Sequence, residues 1–230
     1  IDRTHYGLLE QSLQSIAWLI MAYGLCRREE AWNSPIITWA WQILAGAASI
    51  QVAVGQVLIK NPLWTGEDIG AWTLFNVLTL AYLVPAILAG LFRVEFARRN
   101  LVPLMRGAGA AAVVLGLIYL SLEVRRAFQG GVLSGDEPSD AEYYAYSAIW
   151  LIYGAALLGL GLRLNNAAMR YASLAVVSLT VLKVFLFDMS TLTGILRVLS
   201  FFGLGIVLLA VGWLYQRLVF PRAAAQGAST

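Results

Sequence analysis

Stretches of about 20 mainly apolar residues recur along the chain between short polar breaks, the length a helix needs to cross a ~30 Å hydrocarbon core. They fall at 7–26, 35–59, 69–92, 103–122, 143–163, 168–187 and 195–218. Lipid offers the backbone no hydrogen-bond partner, so a spanning segment must satisfy its own amides. Membrane strands would instead alternate polar and apolar residues over short runs, and these blocks do not. The expected fold is all-α, a polytopic transmembrane bundle of about seven helices forming a single domain over 1–220, with a disordered tail at 221–230. Composition agrees. Hydrophobic residues make up 60% of the 230 and charged residues 13%, against roughly a quarter in a soluble domain.

The breaks have their own chemistry. Arg27-Arg28-Glu29-Glu30 closes the first block, and Asn33-Ser34-Pro35 opens the second with a proline suited to a first helical turn. Arg93 to Asn100 reads as a short basic connector. Residues 124–141, with Gly130-Gly131 and Asp136-Glu137-Pro138, read as the longest polar loop. Asn165-Asn166 and Ser190 to Gly194 mark the last two turns.

Basic residues flank the blocks instead of clustering, which points to membrane topology and away from nucleic acid. One face of the expected bundle collects Arg27, Arg28, Arg93, Arg98, Arg99, Arg106, Arg163, Arg170, Arg217 and Arg222. The other holds Arg3, Lys60, Arg125 and Arg126, with Lys183 and Arg197 near or inside the membrane. By the positive-inside rule the beginning of the chain is external, periplasmic in a bacterium, and its end cytoplasmic. The chain opens on Ile1 without a charged leader, so it is expected to be part of something longer. One cysteine (Cys26) and one histidine (His5) leave no disulfide framework, Cys-based metal site or bis-His haem. No cofactor is expected.

An internal repeat emerges at an offset of 132 residues. Glu10-x4-Ser15-x2-Trp18-Leu19-Ile20 recurs as Glu142-x4-Ser147-x2-Trp150-Leu151-Ile152. Carried on without a gap, the offset pairs Asn33 with Asn165 and Gln56 with Asp188. It predicts two parallel three-helix copies joined by a central helix, an arrangement found in transporters and in inert bundles alike.

Ionisable groups at membrane depth are expensive and therefore candidates for function. Glu10, Glu142, Lys183, Asp188 and Arg197 all approach the expected external boundary. Asp188 and Arg197 flank a short turn and can pair across it. Lys183 lies five positions before Asp188, on a different side of the helix, so its partner is expected on another helix, Glu142 or Glu10. A buried charge network and an ion or substrate site both fit. Gln42, Ser49 and Gln56 form a second candidate, a stripe at seven-residue spacing on one helix face. It reads as helix–helix glue or as the wall of a water path. Pro85 is expected to kink its helix by freeing a carbonyl one turn back. The small run Gly107 to Ala112 invites close helix packing.

No Walker loop, HExxH, GxSxG or convincingly spaced Ser-Lys pair is present, and the longest loop is short for a membrane transferase. Catalysis by this segment is not expected.

The closing stretch carries a resemblance. Leu182-Lys183-Val184-Phe185-Leu186-Phe187-Asp188, Gly194-Ile195-Leu196-Arg197-Val198-Leu199-Ser200-Phe201-Phe202-Gly203 and Trp213-Leu214-Tyr215-Gln216-Arg217 resemble the C-terminal part of a bacterial family of large predicted membrane proteins, domain of unknown function 2339. The resemblance implies a bacterial envelope membrane, a longer parent chain and a shared motif of Lys183, Asp188, Arg197 and Ser200. It assigns no activity. Three functions fit the residues: a transport or envelope-assembly module of the inner membrane, an accessory unit packing against other subunits or the rest of its own chain, and a membrane enzyme using Glu10 or Glu142 on lipid-linked substrates. The lipid bilayer is the partner common to all.

Overall fold

The computed structural model describes residues 7–32, 34–70, 76–135, 137–188 and 195–219. The expected tail at 221–230 and the turn before the last helix lie outside them. Contacts cluster into two compact units, Ile1–Pro138 and Ser139–Thr230.

In the first unit, α1 (Gly7–Trp32) buries Leu8, Ser12, Ser15, Leu19, Ala22 and Cys26. The alternating spacing of three and four puts them on one helical stripe. Ser34 then takes an extended backbone (φ −113°, ψ 124°), as a residue before proline must, and Pro35 opens α2 (Pro35–Ile50). The helix continues as a π-helical segment, Gln51–Ile59, and a single turn, α3 (Pro62–Thr65), follows. Gly66 (φ 68°) ends that turn in a left-handed conformation natural to glycine. A second π-helical segment, Thr79–Leu83, runs into α4 (Val84–Arg98), and α5 (Val102–Gln129) completes the unit. Pro85 sits just past the π-helical segment. The backbone irregularity expected from the missing proline N–H is thus taken up as a widened turn.

α1 packs on α2 and α4, and α4 on α5. Two buried clusters result, one around Leu8, Leu78, Tyr82 and Tyr119, the other around Leu19, Trp41, Phe92 and Phe96.

In the second unit, α6 (Asp140–Arg163) packs on α7 (Ala167–Lys183), and α7 on α8 (Ile195–Val219). Ser139 caps α6, its hydroxyl accepting from Glu142 N at 3.3 Å. Asn166 caps α7, accepting from Ala168 N and Met169 N. A π-helical segment, Val184–Asp188, extends α7.

The expected helices are present, with three shifts. The first runs on to Trp32 and keeps Arg27 to Glu30 helical. The third begins near Thr79 and not at 69, because residues 66–70 form a loop tied to the chain after α5: Ile69 N donates to Gly131 O at 3.0 Å, and Asp68 bridges Val132. The fourth reaches Gln129 and shortens the polar loop expected at 124–141.

Among the described residues, five helical stretches are long and apolar enough to cross a membrane: Pro35–Thr65, Thr79–Arg98, Val102–Gln129, Asp140–Arg163 and Ala167–Phe187. α1 falls outside that set, and α8 contributes the shorter apolar stretch Phe202–Trp213. Outside its apolar clusters the exterior is inverted relative to a soluble protein, apolar where that would be polar. Ile36 and Leu209 are more than three-quarters exposed, while Ser12, Ser15, Gln56, Glu142 and Ser173 are fully buried. Lipid in place of water accounts for that inversion.

The repeat is legible as a hairpin. At the 132-residue offset, α2 and α7 begin at equivalent positions (Pro35 and Ala167) behind residues of extended backbone (Ser34 and Asn166), of which only Asn166 caps with its side chain, and both turn π-helical near equivalent positions (Gln51 and Val184). The third helices break the offset, because the first unit carries the α3 turn and its loop between hairpin and α4.

Candidate functional site

The charged candidates of the second unit gather where α6 begins and α7 ends. Glu142, in the first turn of α6, is fully buried, and the Tyr146 hydroxyl donates to its Oε1 at 2.7 Å. Lys183, in the last turn of α7, reaches across to α6. Its Nζ donates to Tyr143 O at 2.9 Å and to Ser147 Oγ at 2.8 Å, and lies 5.7 Å from the Tyr143 ring centroid. A cation over a tyrosine face gains a further electrostatic contact. Where Glu142 or Glu10 was the expected partner, the α6 groups that hold Lys183 are the carbonyl of Tyr143, the residue after Glu142, and the Ser147 hydroxyl one turn further on.

Asp188 ends the π-helical segment and Arg197 and Ser200 lie on α8; the side chains of all three fall outside the described residues. Glu10 is exposed on α1 of the first unit. Further along the α6–α7 interface, Ser173 Oγ donates to Gly154 O at 2.6 Å, which requires the close approach that glycine permits. A Cβ at Gly154 would meet Val177 Cγ2 at 2.7 Å.

The polar stripe of the first unit is not one face. Gln42 and Ser49 are exposed, on the wall of a groove of about 860 Å³ between α2, α4 and α5. Gln56 is fully buried against α1. The cause is the π-helical turn starting at Gln51: a wider turn advances each residue through a smaller angle, so a seven-residue step no longer returns to the same face. Gln56 Nε2 donates to Ser15 Oγ at 2.7 Å and to Gln11 O at 3.2 Å, and the Tyr82 hydroxyl donates to Gln56 O at 2.8 Å. Gln51, off the expected stripe, also donates to Gln11 O, at 3.2 Å.

A third polar group was hidden in the residues read as connectors. Arg99, just past α4, pairs with Glu29 near the end of α1 and, through Nε, with Glu95 Oε1 at 3.1 Å; it also donates to Cys26 O. Glu29 accepts further hydrogen bonds from Thr38 Oγ1 and, at 3.1 Å, from Trp41 Nε1. Burial works against ionisation of Glu29, but the hydrogen bonds from Thr38, Arg99 and Trp41 outweigh it and hold its carboxyl below the ordinary carboxylate range. The i,i+4 spacing of Glu95 and Arg99 was visible in the sequence, whereas the link to Glu29 spans 70 positions. A fourth group joins Asn76 Nδ2 to Glu123 Oε1 (2.6 Å) and Glu123 to Arg126 (2.9 Å).

These arrangements hold polar groups in place and surround them with apolar helix faces. Among the described residues no three His, Cys, Asp or Glu side chains come together as a metal site. A family model described as "Predicted membrane protein (DUF2339)" matches residues 2–218. No curated protein and no solved structure matches the chain.

Proposed function

The chain belongs to the DUF2339 family of predicted membrane proteins, and from that premise we propose that it is a multi-pass module of a bacterial inner membrane, serving transport or envelope assembly, with the Glu142–Lys183 cluster as its working site. The observation that carries this reading is the complete burial of the Glu142 carboxyl, one residue from the carbonyl that holds the Lys183 ammonium. Charges in a spanning hairpin are costly and concentrate where an ion or polar substrate is handled. The lysine and arginine bias supports a topology with the Gly7 end of α1 and the Glu142 end of α6 outside and the C-terminus in the cytoplasm.

A second reading, an accessory unit packed against other helices, is favoured by Gln42 and Ser49. Both stand exposed on a lipid-level groove wall, where a hydrogen bond from another helix contributes about 0.6–2 kcal/mol. Complementation separates the two readings in a strain lacking the chromosomal copy. Lys183→Gln keeps hydrogen-bond donors but removes the charge. Loss of function in a folded Lys183→Gln protein supports a working ammonium; full complementation hands the case to the accessory reading.

Orientation is tested by thiol labelling. Cys26 is fully buried and a poor reporter, so single cysteines belong at exposed Glu137 and Leu164 in a Cys26→Ser background. An impermeant reagent is expected to modify Glu137→Cys in intact cells and Leu164→Cys only after permeabilisation. The reverse pattern inverts the topology.

A further inference from the structure

The 132-residue repeat brings two polar clasps into correspondence. In the second hairpin, the Lys183 ammonium sits against Tyr143 O and Ser147 Oγ. The offset maps Tyr143 to Gln11, Ser147 to Ser15 and Lys183 to Gln51. In the first hairpin, Gln51 Nε2 donates to Gln11 O at 3.2 Å, and Ser15 Oγ accepts from Gln56 Nε2 at 2.7 Å. The corresponding carbonyl and the corresponding serine therefore form a clasp in each hairpin, filled by amides in one copy and by a cation in the other.

The amide copy has a feature that its own hydrogen bonds do not explain. Gln56 Oε1 and Gln11 Oε1 are both buried and accept no hydrogen bond. Gln56 as a whole is fully buried, and Gln11 Oε1 faces the neighbouring backbone, 3.4 Å from where a Cβ on Gly55 would stand. Amide oxygens are acceptors only, so a donor or a cation must satisfy them. Ser15 Oγ donates to Ser12 O and accepts from Gln56, and keeps one lone pair to offer. Neutral oxygens of this kind, beside an irregular helical segment, are what membrane proteins use to hold alkali cations. No carboxylate is needed at this end, which suits a single positive charge better than a double one.

We infer that the α1–α2 clasp binds a monovalent cation between Gln11, Ser15 and Gln56, the mobile counterpart of the ammonium that Lys183 tethers in the second hairpin. The inference rests on the repeat and on the two oxygens, and is independent of any transport role.

The test uses the purified full chain in detergent, melted in sodium, potassium or choline chloride at matched ionic strength. Sodium or potassium is expected to raise Tm saturably over choline, by about 5–10 °C when the cation exceeds its dissociation constant a hundredfold in a chain of this length. Gln11→Met, which removes one oxygen at similar volume, is expected to shift that saturation to at least about fivefold higher cation, the loss of one coordinating dipole. Gln51→Lys, which builds the tether of the second hairpin into the first, is expected to raise Tm in choline and abolish the cation dependence. Equal melting of the wild-type chain in all three salts overturns the inference, leaving the oxygens to a buried water only. So does undiminished cation dependence in a folded Gln51→Lys protein.

Discussion

The α1–α2 and α6–α7 hairpins share a frame and differ in almost every charge placed on it. Helix starts, the π-helical onset and the serine at 15 and 147 correspond. At the clasp end, amides in the first hairpin stand where the second has an ammonium. At the turn end, Glu29 and Thr38 of the first hairpin correspond to Gly161 and Arg170 of the second. Glu29 hydrogen-bonds Thr38 and recruits Arg99 from beyond α4. Gly161 instead lets Arg170 press directly on it, to 2.9 Å from where a Cβ would stand. Hairpin geometry is thus set by small residues and hydroxyls between the helices, and the electrostatics at each end are free to diverge.

The sharpest way to break the comparison is at the two arginines near the turn ends. Arg99→Met leaves Glu29 and Glu95 facing each other without their shared cation. Its side chain is only 10% exposed, so the expected loss is about 3–5 kcal/mol of unfolding free energy. Arg170→Met removes a guanidinium whose Nε is buried without a partner, and is expected to change stability by less than about 1 kcal/mol. Equilibrium unfolding of both variants in mixed micelles measures the contrast. Similar losses at the two sites would show that the turn ends do not differ as described.

Next in size is the small residue between the helices. Position 22 carries a buried alanine, while its counterpart 154 is a glycine with no room for a Cβ. Gly154→Ala sets a methyl 2.7 Å from Val177 Cγ2, and is expected to cost about 1–3 kcal/mol as overpacking. Val177→Ala in the same protein clears the obstructing atom and should recover much of the loss; no recovery would place the strain elsewhere. Smaller again are the twin serines. Ser15→Ala and Ser147→Ala each remove an acceptor from a clasp, at about 0.6–2 kcal/mol. Equal losses sharpen the likeness of the two clasps, and a clearly larger one at Ser147 would mark the ammonium copy as the more demanding.

How far the sequence disclosed this architecture depends on what kind of signal each part leaves. Apolar length gave away the helices, and Pro35 and Asn166 the starts of two of them, because proline and capping chemistry act within a few residues. The π-helical segments at Gln51 and Val184 leave no such mark, unlike the one before Pro85, since widening a turn changes hydrogen-bond register without changing residue type. That is why Gln56 left the stripe drawn through Gln42 and Ser49. Glu142 and Lys183 stood out as charges inside apolar runs, and both lie on the α6–α7 hairpin, Lys183 held by the carbonyl of the residue after Glu142. Glu29, Glu95 and Arg99 were concealed by their position, because charges at helix ends also serve topology and nothing local separates the two uses.

Acid makes the finest distinction between the hairpins. The Glu29 carboxyl is held below its ordinary value of 4.5 by Thr38, Arg99 and Trp41 despite its burial. A carboxyl depressed in the folded state contributes stability that is fully present above its unfolded pKa and lost as pH falls through the folded one. The α1–α2 turn end is therefore expected to hold its protection through neutral pH and to loosen only below the ordinary carboxylate range, with Glu95 and Arg98 as the other charges beside Arg99. Gly161 offers no equivalent proton site. Hydrogen exchange corrected for intrinsic rates, followed at residues 30–38 and 162–170 as pH is lowered, reads the two turns in one sample. Acid-induced loosening at 30–38 alone, abolished by Glu29→Gln, is the expected result; parallel loosening at both turns would mean that Glu29 does not govern it.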